Sequence, residues 1–142
     1  MSCTTVPFAD TNVLLYAISS APEERDKASR ANAILDAGDV ALSVQVLQEF
    51  YVQATRESRP DRISHEQAAR LVESLLVFPV ADITTAVMLG AMTTRQRFGI
   101  SYWDAAIVEA ARSLGCDVVL SEDLSDSQDY AGIRVENPFR NP

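Results

Sequence analysis

The chain holds one histidine, His65, one lysine, Lys27, and two cysteines, Cys3 and Cys116, among its 142 residues. A single histidine excludes a ribonuclease that pairs two imidazoles as acid and base, and zinc sites built on two or three histidines. A Ser-His-Asp triad would have to use His65, which sits beside a helix-capping serine and reads as solvent-facing. The cysteines form neither a CxxC motif nor a disulfide framework and read as reduced thiols. No apolar run approaches the ~18 residues of a membrane span. The opening MSCTTVPFADT lacks a positively charged stretch, so a cytoplasmic protein without a signal peptide is expected. GxGxxG, P-loop, GxSxG and HExxH patterns are all missing. Positive charge is short as well: 20 Asp and Glu stand against 12 Lys and Arg, a net charge of -8. That balance argues against a protein that coats nucleic acid through a basic surface. It leaves open an enzyme whose acids hold metal.

What is present is ordinary globular material, 47% apolar and 23% charged, at a length that predicts one domain spanning 1–142. Val6 to Ala9 reads as a short buried strand ending at Asp10, with Pro7 near its start where a missing ladder donor is tolerated. A short helix follows over Asn12 to Ser19. Pro22 opens a second helix, with acids in its first turn, that stops at Gly38. Val40 to Leu42 is the second strand. Ser43 caps a helix reaching about Glu57, and Ser64 with Gln67 makes a capping box for a helix to about Leu76. Val77 to Ala81 is a third strand, and Thr84 to Phe98 a helix closed by Gly99. Ser101 caps Tyr102 to Leu114, closed by Gly115. Asp117 to Ser121 is the best strand, SEDLSDSQDYAG a loop, and Ile133 to Val135 the last strand.

Strands alternating with helices predict an α/β protein, a three-layer α/β/α sandwich around a parallel sheet of about five strands. Ligands of such sheets sit beyond the carboxyl ends of the strands. Asp10 ends the first strand and Asp123 follows the DVVL strand, so both belong to one edge. Glu49 lies roughly 60° from Val46 and 100° from Phe50 on its helix, on the flank of the apolar stripe. Asp104 lies in the first turn of its helix, at one end of the layer. Four converging carboxylates with no Lys or Arg nearby in sequence would repel by several kcal/mol unless a cation fills the site. Hard oxygen donors select Mg²⁺ or Mn²⁺, which can activate water and clamp phosphate oxygens. Asn12, Ser101 and Ser121 are placed to support these acids by hydrogen bonds. Asp126 is a possible substitute for Asp123.

Each acid also has a structural reading: Asp10 and Asp104 as helix caps, Glu49 and Asp123 as solvated charges. Tyr102 and Trp103 read as core or interface residues. Arg56, Arg59 and Arg62 cluster in one connection, suited to bidentate phosphate contact.

The segments FADTNVLLYA, SVQVLQEFY, ISYWDAAIVEAA and VVLSEDL, in this order, resemble the PIN-domain ribonucleases, and within them the VapC-like toxins of type II toxin–antitoxin pairs. The resemblance implies a small, usually dimeric α/β/α domain that binds one or two Mg²⁺ or Mn²⁺ ions and hydrolyses RNA. It implies a cognate antitoxin that blocks the site. Asp10, Glu49, Asp104 and Asp123 match its metal-binding and catalytic acids, and Asn12 and Ser121 its supporting positions. The alternatives are a catalytically inactive PIN-like binding or regulatory module, and a receiver-type phosphoacceptor. The receiver is disfavoured by the missing acidic pair near the first strand and the missing lysine near the last.

Overall fold

A computed structural model describes residues 6–140; Cys3 lies outside the described residues. Six helices and six short strands alternate along it: β1 (Phe8–Ala9), α1 (Thr11–Ala17), α2 (Arg25–Asp36), β2 (Leu42–Ser43), α3 (Val44–Ala54), α4 (His65–Leu75), β3 (Val80–Ala81), α5 (Thr85–Phe98), α6 (Tyr102–Ser113), β4 (Val118–Leu120), β5 (Asp129–Tyr130) and β6 (Ile133–Glu136). The prolyl start of the second helix is a 3₁₀ turn, Pro22–Glu24.

Sheet order explains how distant sequence segments meet. β1 pairs parallel with β4, and β4 with β6. β2 pairs parallel with β3, and a parallel bridge between Phe8 and Ala41 joins the two pieces side by side. The five predicted strands thus run parallel. A sixth, β5, turns back antiparallel against β6 inside the segment that the sequence reads as loop. It is two residues long, too short to show an alternating pattern. Its hairpin places Ala131 at φ 53 and Gly132 at φ 97, a left-handed geometry that glycine adopts without strain.

α6 packs on β2, β3, β4 and β6, and α5 packs on α6; α1 joins α2 and α3, and α4 joins α3. Between these helices and the sheet lies one main core, with Phe8, Leu14, Leu42, Phe50, Val119 and Val135 essentially inaccessible. Burying each such side chain contributes about 1.5–3 kcal/mol. The helices start where expected because their caps form. Ser43, Thr84 and Ser101 each accept an amide three residues on, and Ser64 and Gln67 close the capping box. Gly90 lets α5 approach α6: a Cβ there would sit 3.1 Å from Glu109 Oε1.

Cys116 is buried and unpaired. His65 is exposed, its Nδ1 2.8 Å from the Tyr51 hydroxyl. Trp103 is no core residue; it is 64% exposed. Among the described residues no helix is long and apolar enough to cross a membrane.

Candidate functional site

Asp10 and Ser121 sit at the carboxyl ends of β1 and β4, whose register pairs Ala9 with Leu120. The Asp10 amide donates to the Leu120 carbonyl at 3.0 Å, so backbone pairing continues into the site. The Asp10 side chain caps α1, its Oδ1 accepting the Thr11 amide at 2.7 Å. Its Oδ2 accepts the Ser121 hydroxyl at 2.8 Å. Ser121, fully buried, is the hub of the edge: its Oγ also accepts from Asn12 Nδ2 and from the amides of Asp123 and Leu124. Asn12 then reaches both ways, its Nδ2 donating to Asp123 Oδ2 at 3.2 Å and its Oδ1 accepting the Glu122 amide. One amide and one hydroxyl therefore tie the start of α1 to the loop after β4.

Glu49 joins from α3. The Thr11 hydroxyl donates to its Oε1 at 2.7 Å, and Gln45 stands 3.5 Å from its Oε2. Gln45 also donates to the Trp103 carbonyl at 3.2 Å, linking α3 to the first turn of α6. There Ser101 caps the helix by accepting the Asp104 amide at 3.1 Å.

Asp10 and Asp104 both sense the charges of Asp123 and Glu49. Burial pushes the Asp10 carboxyl up to about 6. The Ser121 hydroxyl and the Thr11 amide pull against this, and the charges of Asp123 and Glu49 push the same way. Asp104 is raised mainly by partial burial and further by Asp123 and Glu49, with Ser101 opposing. Asp10 is only 6% exposed, yet none of the described ion pairs includes Asp10, Glu49, Asp104 or Asp123. A buried carboxylate without a cation is costly. An all-oxygen donor set of this kind suits a hard divalent cation. As the side chains stand, no three acids among the described residues form a cage around one point.

Asp126 lies in a different environment. It accepts the Asn137 amide at 2.8 Å and pairs with Arg140, which hold its carboxyl below the usual range. The expectation that no cation stands near the site needs correction. Lys27 pairs with Glu122, next to Asp123, and Arg59 lines a cavity that reaches Asp123. Sequence spacing hid both, because α2 and the α3–α4 connection meet this edge only through the fold. The Glu122–Lys27–Tyr16 cluster has no short-range signal at all.

The PIN domain family pattern matches residues 8–128, and the chain belongs to the PIN domain family. Solved structures share its fold. A toxin–antitoxin complex from Klebsiella pneumoniae superposes with TM-score 0.67 at 22% identity, over 94% of this chain and 98% of that one. DNA-bound VapBC from Salmonella typhimurium gives 0.64 at 20% identity, over 95% and 99%. VapC20 from Mycobacterium tuberculosis, a sarcin-ricin loop cleaving toxin, gives 0.63 at 17%, over 82% and 88%. No curated protein sequence matches significantly.

Proposed function

We propose that the protein is a divalent-metal-dependent endoribonuclease that hydrolyses RNA phosphodiester bonds, and that it serves as the toxin of a toxin–antitoxin pair. The observation that carries this reading is Asp10: a buried carboxylate at a strand end, bonded only to a hydroxyl and an amide, beside three further acids with no cation partner. Family membership and the toxin–antitoxin relatives support it. Asp10 and Asp104 would hold Mg²⁺ or Mn²⁺, and Glu49 and Asp123 would complete the donor set or take the proton of the attacking water. The ion would supply a Lewis acid for the phosphate oxygens and a water of lowered pKa.

The chain's own residues do the positioning. Thr11 and Gln45 fix the carboxylate of Glu49. Ser121 orients Asp10, and Asn12 holds Asp123. Ser101 sets the first turn from which Asp104 projects. We further propose a single-domain cytoplasmic protein that forms a homodimer and is silenced by an antitoxin laid over the acidic edge.

The deciding experiment is RNA cleavage by wild type and Asp104→Asn in Mg²⁺, in Mn²⁺ and in chelator. Wild-type cleavage that chelator abolishes and Asp104→Asn lacks is expected; equal cleavage by both proteins sinks the assignment. One observation favours a second reading, an inactive PIN-like binding module: among the described residues no three acids already converge on a point. That reading requires no metal-dependent cleavage and no growth arrest when the protein is expressed alone.

A further inference from the structure

The three arginines of the α3–α4 connection do not share an environment. Arg56 and Arg62 are exposed, whereas Arg59 turns inward and keeps 19% of its side chain accessible. Its Nη2 donates to the Leu15 carbonyl at 3.4 Å, and its Nε lies 3.0 Å from Asp61 Oδ1. That buried N–H is misaligned for a hydrogen bond, so the contact is an ion pair only. Asp61 is held in turn by the Ser20 amide at 2.9 Å. Arg59 is thereby braced between α1 and the turn that follows it, with Nη1 unengaged among the described residues.

Arg59 faces a cavity of about 220 Å³ that opens beside Asn12 and Asp123. Leu15 supplies apolar wall, and Tyr16, Glu24, Gln53 and Glu122 supply the rest. The Gln53 amide has no hydrogen-bond partner among the described residues. Glu24 uses only Oε1, which accepts the Ser19 hydroxyl at 2.5 Å, leaving Oε2 as a free acceptor. Glu122 is already occupied by the Tyr16 hydroxyl and by Lys27. Three carboxylates in the lining, Glu24, Glu122 and Asp123, disfavour a phosphate here. A neutral ring with donors on one edge and acceptors on the next fits both the free acceptors and the guanidinium.

We propose that this cavity is a base-reading subsite for the nucleotide adjoining the cleaved phosphodiester, and that guanine is the base it takes. The proposal rests on the reading that the acidic edge cleaves RNA. Guanine presents N1–H and N2–H₂ together, matching Glu24 Oε2 and the Gln53 carbonyl. Its O6 and N7 accept from a guanidinium, the commonest specific contact between arginine and a base. Adenine places a donor where Arg59 needs an acceptor, and the pyrimidines lack N7. Single-stranded RNA can splay such a base out of its stack to be read on these edges.

The test titrates the metal-free protein with the four nucleoside 5′-monophosphates by NMR, alongside cleavage of RNA oligonucleotides that differ only in the base beside the cut. Guanosine monophosphate is expected to bind about tenfold tighter than the other three and to shift the Gln53 side-chain amide signals. Gln53→Ala and Arg59→Met are expected to bring the four nucleotides within about twofold of one another. Arg59→Met can disturb its braced loop; Gln53→Ala has no protein partner to lose and keeps the result decisive. Equal binding of all four nucleotides, no binding, or a guanine preference that survives Gln53→Ala overturns the proposal. Asp104→Asn separates the two readings. If neither it nor wild type cleaves RNA but both prefer guanosine monophosphate, the nuclease reading falls and with it the subsite's place beside a cleaved bond, leaving a guanine-binding pocket. If RNA is cleaved without regard to the neighbouring base, the nuclease stands and the subsite falls.

Discussion

Two sets of carboxylates divide this molecule. Away from the carboxyl edge of β1 and β4, several acids pair with cations, Glu109 with Arg112, Asp126 with Arg140 and Glu136 with Arg134, and most others lie exposed to solvent. At that edge Asp10, Glu49, Asp104 and Asp123 have hydroxyls and amides but form no ion pair, although Lys27 and Arg59 stand close by. The first set costs little to fold, because each charge is neutralised or solvated. The second stores repulsion and desolvation that a divalent ion would relieve. The contrast teaches that ion-paired acids here add little strain to the fold, while under the proposed function the unpaired ones would be the metal-binding set. Four perturbations can break or sharpen it.

The largest effect is expected at Asp104. Asp104→Asn should lower metal-dependent RNA cleavage beyond the ~10–100-fold typical of losing a residue that merely supports a metal ligand, with the circular dichroism melt little changed. Next comes Asp10. Its folded-state pKa, raised to about 6, means that the folded protein binds the proton more tightly than the unfolded chain. The associated stability is fully present below about pH 4 and is lost as pH rises through about 6, a change on the order of 3 kcal/mol. Urea melts in chelator across this range should show the loss. Asp10→Asn, which keeps a capping side chain, should flatten it and leave the metal-free protein more stable at pH 7.

Arg112→Ala tests the paired set. Arg112 donates to Glu109 and to the carbonyls of Tyr130 and Ala131 at 2.8 and 2.7 Å. Its removal should cost about 2 kcal/mol in urea melts and raise hydrogen exchange in β5 first. The smallest effect is expected at Asp126. Asp126→Asn should leave cleavage within about twofold of wild type, whereas Asp123→Asn should not. Equal losses at the two positions would erase the distinction between the sets.

Much of the fold can be read locally. The caps at Ser43, Ser64, Thr84 and Ser101 and the stops at Gly38 and Gly99 operate within one helical turn, so spacing alone finds them. The VVL strand is found because a short β-branched run before a polar loop has few other uses. β5 escapes because two residues carry no period. Among the candidate residues, Asp10 and Ser121 stand out by lying at strand ends, which a parallel sheet turns toward one side, and Asn12 follows Asp10 in the first turn of α1. Glu122, Lys27 and Arg59 escape because their partners lie on other elements, and helix spacing carries no information about which element will be adjacent.

What the sequence determined by itself is the alternation of strands and helices, their caps, and a scarcity of histidine and lysine that leaves carboxylates as the candidate site residues. Those properties depend on neighbours a few residues apart. Only the tertiary structure decided which acids would lack a cation. Arg140 reaches Asp126 and Lys27 reaches Glu122, while Asp10 is sealed between Thr11 and Ser121. Charge pairing acts through space over a few ångströms, so only packing could separate the acids that meet a cation from those that do not.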